Sequence, residues 1–537
     1  MDSIQTQASS PWKPLKVKVF RWLWLASIAS NIGTWMHEVG AGWLMTSLSA
    51  DPLAVALVQV AGALPIFMLA LPAGALADIV DKRRYLLTVQ VWMAVVALAL
   101  AVLTFSGQMS VPLLLVLTFA MGIGTALMMP AWSALAPEIV DREDLPAAVA
   151  LSSLAMNVAR AIGPAIAGIL VSLAGPWLTF ALNAVSFVAV IATLWAWHRT
   201  PTSSVLPAER WWGAIRSGVR YARSARPLKA VLVRTAAFFL GAAAGMALLP
   251  VLVRRELAGT ALDYGVLLGC VGLGAIAGAM YLPRIRARYS SDVIVMLASV
   301  LYALVLFGLA WVRSFAGLAP LMLLSGLAWI GVLSGLQVAA QTSVPSWVRA
   351  RALALYILVF FGCSAAGGAF WGAVASHLSL SAAFAGAGVV LLLGIAARWR
   401  YRLPSTEADD LMPSMHWPVP LLDEGLEQDR GPVMVTVDYR IAVEHSAAFR
   451  TAMAEVKRMR ERNGAFSWGL VQDSEDPRAW QEFFFDESWL EHMRHHGRVT
   501  RAEQRIEAAA RRFQEKGVAV RIKHLLAAGS LGGQASR

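Results

Sequence analysis

Charge and cysteine are what this sequence has little of. Only 15% of its 537 residues are charged, and only two, Cys270 and Cys363, are cysteines. A soluble globular chain carries about 25% charged residues, so an ordinary soluble enzyme is excluded for most of the length. Both cysteines lie inside apolar runs with no Cys or His at metal spacing. Neither a disulfide framework nor a zinc site is therefore expected, and no cofactor. What is present is apolar: 58% hydrophobic residues, 21 Trp and a mean hydropathy of +0.59, which together exclude disorder. A net charge of +12 would point to a polyanion in a soluble protein. In a membrane protein the same excess belongs at the cytoplasmic face, so the partner expected is a lipid bilayer and not nucleic acid.

A spanning helix needs about 20 mostly apolar residues. Twelve such segments are centred near Gly33, Leu64, Val96, Gly122, Ala161, Phe187, Gly241, Leu273, Leu301, Ala328, Gly362 and Leu391. Pro, Gly, Ser or charge breaks the chain between them, as at Asp51-Pro52, Asp78–Arg84, Pro137–Pro146 and Gly175-Pro176. Lys13, Lys16, Lys18 and Arg21 precede an apolar stretch that reaches Leu48, too long for a signal core and without a small-residue cleavage site. The loops on that side hold 23 basic residues, against Arg254, Arg255 and Arg313 on the other. This asymmetry predicts both termini on the cytoplasmic side and an even number of spans.

The loop from His198 to Lys229 divides the spans into two halves. Gly74–Arg84 is echoed by Gly278–Arg288 at an offset of 204, and Pro137-Glu138 by Pro345-Ser346 at 208. Parallel six-helix repeats are the plan of a rocking transporter with its site near the midplane. The expected organisation is a tail 1–19, a half 20–198, a central loop 199–228, a half 229–402, a linker 403–430 with four Pro and seven acids, a soluble domain 431–525 and a tail 526–537. Within the soluble domain, Val433–Ile441, Ala465–Val471, Ala479–Phe485 and Val518–Leu525 alternate as strands. Glu444–Arg462 and Glu487–Arg512 read as helices. That order fits a ferredoxin-like α+β sandwich beside an all-α membrane protein.

Three groups of residues carry the chemistry. Gly74, Asp78, Asp81, Lys82, Arg83 and Arg84 join helices two and three. There a glycine permits close approach, an acid caps or pairs with a helix end, and the basic cluster suits anionic headgroups. A plain positive-inside turn fits the same residues. In helix five, Gly163-Pro164 removes a backbone hydrogen bond and Gly168 admits a neighbouring helix, so a bend is expected. Arg160 must face a cavity or an acid, or snorkel to the interface. In helix one, Asn31, Thr34 and Glu38 share a face, with His37 beside Glu38. Glu38 is a candidate for proton or cation coupling, or a solvated acid near the far mouth. Asn157, Ser334, Gln337 and Gln341 would line the same cavity, or act as polar glue between helices.

The Gly74–Arg84 segment resembles the signature loop of the major facilitator superfamily, with Asp81 where that loop has a second glycine. There the loop latches the two halves in the outward-open state. The Asn157–Gly168 segment resembles the Gly-Pro motif of export-type members, which implies efflux. Such exporters carry an arginine in helix four where this chain has Thr118, so that route of proton coupling is missing. With Asn31–Met36, Pro137-Glu138 and Val344–Arg351, residues 15–525 resemble the transmembrane secretion effector family, which includes enterobactin-exporter-like proteins. The resemblance implies twelve helices in the major facilitator fold and alternating-access export of a siderophore-like metabolite or drug, H+ being the candidate coupling ion. Through Trp468-Gly-Leu470 and Ser488–His496 the tail resembles dimeric α/β barrels of the antibiotic-biosynthesis-monooxygenase type. A homodimer through 431–525 is expected, with the three helix histidines solvated or facing the dimer partner. The alternative is a membrane-tethered enzyme or ligand sensor acting through that domain.

Overall fold

The computed structural model describes residues 12–141, 143–197, 225–403, 411–412, 414, 416–417 and 430–527. Most of the central loop, Arg142 and most of the C-terminal tail lie outside the described residues. The chain forms two units: Met1–Glu209 with Val231–Ala339 and Ala354–Leu403, and Arg210–Ala230 with Ala340–Leu353 and Pro404–Arg537.

The helices are α1 (Lys18–Leu48), α2 (Pro52–Ile79), α3 (Lys82–Phe105), α4 (Val111–Ser133), α5 (Leu145–Ala174), α6 (Trp177–Ala196), α7 (Arg226–Ala247), α8 (Ala261–Arg286), α9 (Ser291–Trp311), α10 (Phe315–Thr342), α11 (Arg349–His377) and α12 (Leu380–Ile395). Among the described residues, eleven helices are long and apolar enough to cross a membrane. The helix α1, which carries Lys18, Arg21, His37 and Glu38, is not among those eleven. Several starts have a local cause. The Asp51 carboxylate accepts from the Leu53 amide at 3.0 Å, Asp81 accepts from Arg84 at 2.9 Å, and Thr260 with Asp263 forms a capping box on α8. α5 stops at Gly175, whose φ of +94° a side chain would resist. Large apolar groups such as Phe105, Val116, Leu173, Trp195 and Leu393 remain exposed on the outer helix faces, as hydrocarbon requires.

Two seams join the first six helices to the last six. α5 meets α8 on nearly bare backbone. A Cβ added at Gly265 would stand 2.5 Å from the Pro164 carbonyl oxygen, at Gly168 2.8 Å from that of Ala261, and at Gly272 2.5 Å from the Ala161 Cα. α2 meets α11 in the related position of the repeat, where a Cβ on Gly372 would be 2.7 Å from Ala56 and one on Gly362 2.6 Å from the Phe67 ring. At the end remote from the basic loops, α1 reaches the α7–α8 segment. Trp43 stacks on Tyr264 with centroids 6.1 Å apart, Arg254 lies 5.1 Å over Trp43, and the Arg255 guanidinium donates to the Ala50 carbonyl. At the basic end, several polar contacts tie elements of the same half. Lys82 meets Glu138 at 2.7 Å and Lys13 meets Asp144 at 2.9 Å. Buried Asp292 accepts from Arg398 and from the Leu403 amide, with Arg234 3.7 Å away.

In the second unit, β1 (Val433–Arg440), α13 (Ser446–Asn463), β2 (Ser467–Gln472), β3 (Ala479–Asp486), α14 (Trp489–Arg498), α15 (Arg501–Arg511) and β4 (Arg521–Leu526) build an antiparallel sheet ordered β2-β3-β1-β4. Val433, Val435, Val437 and Phe484 are buried in its core. Met434, Phe483, Phe485 and Leu525 share the opposite face by register. Part of the stretch expected as linker is packed: the Ser414 amide donates to Val499 at 2.8 Å, and Trp417 and His416 both reach Glu507.

Candidate functional site

The first unit's site lies between α1, α5 and α8. Gly163 brings α5 so close to α1 that an added Cβ would stand 2.7 Å from Trp35 Cβ. The Arg160 guanidinium then lies 5.6 Å over the Trp35 ring. Glu38, one turn beyond Trp35, interacts electrostatically with both Arg160 and Tyr264. Glu38 retains accessible surface. The Nε of Arg160 is buried without a hydrogen-bond partner. Glu38 and Arg160 thus lie within electrostatic range of one another near Trp35 and Tyr264, a combination suited to holding a polar or zwitterionic molecule. A separate apolar cavity of about 660 Å³ lies between α2, α7 and α11, lined by Leu64, Phe67, Leu232, Leu358 and Cys363 among others.

The expected residues divide accordingly. Glu38 and Arg160, singled out separately in the sequence, come together. Asn31 and Thr34 are half-buried, Thr34 donating to the Ser30 carbonyl at 2.9 Å. Asn157 donates back to the Ser153 carbonyl at 3.0 Å, a turn from Arg160. His37 is turned away, buried edge-on against Phe180 at 5.1 Å with neither ring nitrogen hydrogen-bonded. Ser334 accepts from Arg286 at 2.8 Å, Gln337 is exposed and Gln341 half-buried. Trp35, Trp43, Tyr264 and Arg254 were not anticipated. The only sign of Arg254 in the sequence was its place among three basic residues on the otherwise charge-poor side.

In the α2–α3 loop, Lys82 is held by Glu138. Arg83 donates to the Leu194 and Trp195 carbonyls at the C-terminal end of α6, where a cation is favoured. Arg84 alone of the three is exposed, so the cluster fixes helix ends more than it meets headgroups. Gly74 has open space around it, and the Asp78 side chain lies outside the described residues. α5 runs as one helix through Pro164; its glycines make the seam with α8 and the contact with α1.

The second unit buries an ionic network. Arg460 donates to Glu482 at 3.0 Å and to Glu507 at 2.6 Å, between the rings of Trp417 and Phe484, each 4.8 Å away. Tyr439 and Trp468 also donate to Glu482, both at 3.0 Å. Burial alone would raise the Glu507 carboxyl, but Arg460, His416 and Trp417 outweigh it and bring it down to about 2. Two of the three helix histidines are not solvated: His492 and His495 are fully buried and donate through Nδ1 to Asp486 at 2.8 and 3.2 Å, while His496 is half-buried. Against the cost of burial, those two rings hold the Asp486 carboxyl well below its ordinary range. Burial, then the neighbouring imidazoles, push His496 down to about 3; burial and His492 bring His524 to about 4.

A family model described as "Transmembrane secretion effector" matches residues 9–531. The staphyloferrin A transporter of Staphylococcus aureus is 24% identical over 54% of this chain and 73% of its own length. Macrolide efflux protein A of Streptococcus pyogenes is 23% identical over 33% of this chain. This chain spans only 43% of that protein's length. Among solved structures, a POT family transporter in complex with 5-aminolevulinic acid superposes with a TM-score of 0.60 at 15% identity, covering 72% of this chain and 96% of its own. A bacterial homologue of the iron transporter ferroportin, inward-facing, gives 0.56 at 15% identity, covering 72% and 98%.

Proposed function

Because the chain belongs to the transmembrane secretion effector family, a multi-pass membrane transporter family and not an enzyme family, we propose that it exports a small molecule from the cytoplasm by alternating access. On this reading α1 is the twelfth span, both ends of the chain are cytoplasmic, and the membrane is the bacterial inner membrane. Relatives named as siderophore and macrolide transporters support a siderophore-like metabolite or a drug as cargo. One observation carries the reading: the α5–α8 seam and the Trp43–Tyr264 stack bring the two halves together at the end away from the basic loops. With those loops in the cytoplasm, this is the inward-facing state, its cavity open to cytoplasmic cargo. Glu38 takes the coupling proton and Arg160 is the group it faces in turn.

Comparing the culture media of wild-type, deletion and Glu38→Gln strains tests this. A compound missing from the deletion medium should fall at least tenfold with Glu38→Gln, because an amide cannot titrate. Identical media from all three would overturn export, and normal export by Glu38→Gln would remove Glu38 from coupling.

The soluble unit takes the ferredoxin-like topology and pairs with a second copy through Met434, Phe483 and Phe485, an apolar sheet face that favours a partner. Cysteine placed at Gln481 on that face should cross-link two full-length chains within minutes of mild oxidation. Persistently monomeric chains would count against the pairing.

A further inference from the structure

We propose that His492, His496 and His524 form a binding site for a late first-row divalent cation of the zinc class, oriented by Asp486. One ring nitrogen from each histidine lies within 4.8 Å of the others. His492 and His496 sit one turn apart on α14. His524 comes from β4, where it pairs in register with the buried Val435 and so faces the helix-covered side of the sheet. The sequence showed no metal spacing because the third ligand is 28 residues beyond the second, on another element.

The geometry separates a ligand set from a packed cluster. Asp486 accepts the His492 Nδ1–H, which leaves the Nε2 lone pair of His492 directed at its neighbours. This is the carboxylate–histidine arrangement that fixes tautomer and raises basicity in metal sites. The Nε2 of His496 stands 3.1 Å from that of His492. In a tetrahedral site with bonds of about 2.0–2.1 Å, ligand nitrogens stand about 3.3 Å apart, so two of the three are already at bonding spacing. A rotation of His524, which is half-buried on the outermost strand, brings in the third. Without a cation the two facing Nε2 atoms of His492 and His496 must share one hydrogen. With both Nε2 lone pairs on a metal, His496 carries its proton on Nδ1 and the two rings no longer compete for one hydrogen. Three neutral imidazoles beside an ionised carboxylate suit Zn2+, Co2+, Ni2+ or Cu2+ over Mg2+ or Ca2+. Three protein ligands leave a fourth position open, next to Trp489, whose ring lies 5.5 Å from that of His492 and 6.0 Å from that of His524. The ion would clamp α14 to the edge strand β4.

Titrating purified, full-length, metal-free protein without a histidine tag with Co2+ alone is the test. One equivalent should bind and give the visible absorption of a tetrahedral Co2+–imidazole site, which Zn2+ then bleaches. His496→Gln and His524→Gln should each weaken binding at least tenfold, and Asp486→Asn about 10–100-fold. His445→Gln, outside the cluster, should leave binding unchanged. His496→Cys keeps a ligand, so it should still bind Co2+ and add a thiolate-to-metal charge-transfer band that the wild type lacks. No Co2+ bound by the wild type at 100 µM, or equal binding by the Gln variants, would overturn the site. Should the Gln variants misfold, absence of the new band in folded His496→Cys would do the same.

Discussion

Gly265→Leu should stop transport while the chain still inserts in the membrane. A Cβ at that position stands 2.5 Å from the Pro164 carbonyl oxygen and 2.8 Å from Gly168 Cα, both backbone atoms that cannot turn aside. The only relief is to separate α5 from α8, and those helices have little but close van der Waals packing between them. Overpacking of this kind costs about 1–3 kcal/mol, which reduces the closed-seam state about 5–150-fold at 25 °C. The branched remainder of leucine adds to that. An efflux assay in cells should read background for Gly265→Leu and a smaller loss for Gly265→Ala. Gly62→Ala, with nothing within 4 Å of an added Cβ, is the control. Wild-type efflux by the leucine variant would mean that the seam is not required.

Arg460→Met should unfold the soluble unit under conditions where the wild type is stable. The substitution keeps most of the side-chain length but takes the Arg460 guanidinium from Glu482 and Glu507, both almost fully buried, leaving Glu507 with Arg511 at 3.5 Å. Stranding one partner of a buried ion pair costs about 3–5 kcal/mol, a large share of a small domain's stability. The pH dependence distinguishes this from lost packing. In the wild type Glu507 lies at about 2, below its unfolded value near 4.5. Its contribution is therefore complete above about pH 4.5 and lost as pH falls toward 2. In Arg460→Met the Glu507 carboxyl loses the cation that chiefly holds it down and titrates upward, so mild acid should narrow the deficit between variant and wild type. Protease resistance of the soluble unit, measured from pH 8 to 4, reads this directly. A deficit that did not change with pH would assign the loss to packing.

These two positions also show where the sequence could be read and where it could not. All twelve apolar centres fall inside helices, because hydrocarbon solvent imposes a long local pattern. The strands of the soluble unit lie within a few residues of their expected places, since alternation is equally local. Gly168 stood out in the sequence but Gly265 did not: a glycine's partner across a seam lies 97 residues away and leaves no local mark. Arg460 passed as one more charge on an amphipathic helix, although β3 and α15 supply carboxylates that make its burial tolerable. The same blindness applied to Trp417, surrounded by prolines and acids, and to His524, a lone histidine in a short strand. Glu38 and Arg160 were visible because a charge in an apolar run is conspicuous; that they face each other was not.

The glycine seam between α5 and α8 bears on how fast a molecule whose halves rock, as proposed above, would turn over. Interdigitated side chains give a contact the profile of a gear, and rolling one half over the other would mean lifting each tooth from its notch. Backbone against backbone is closer to a smooth bearing: the energy changes little with a few degrees of rotation, and no rotamer has to flip. For halves that rock, friction is then concentrated in the few contacts that must break, namely the Trp43–Tyr264 stack and the Arg255 bond to Ala50. On that reading the contacts that break set the tempo, and the seam contributes almost none of it.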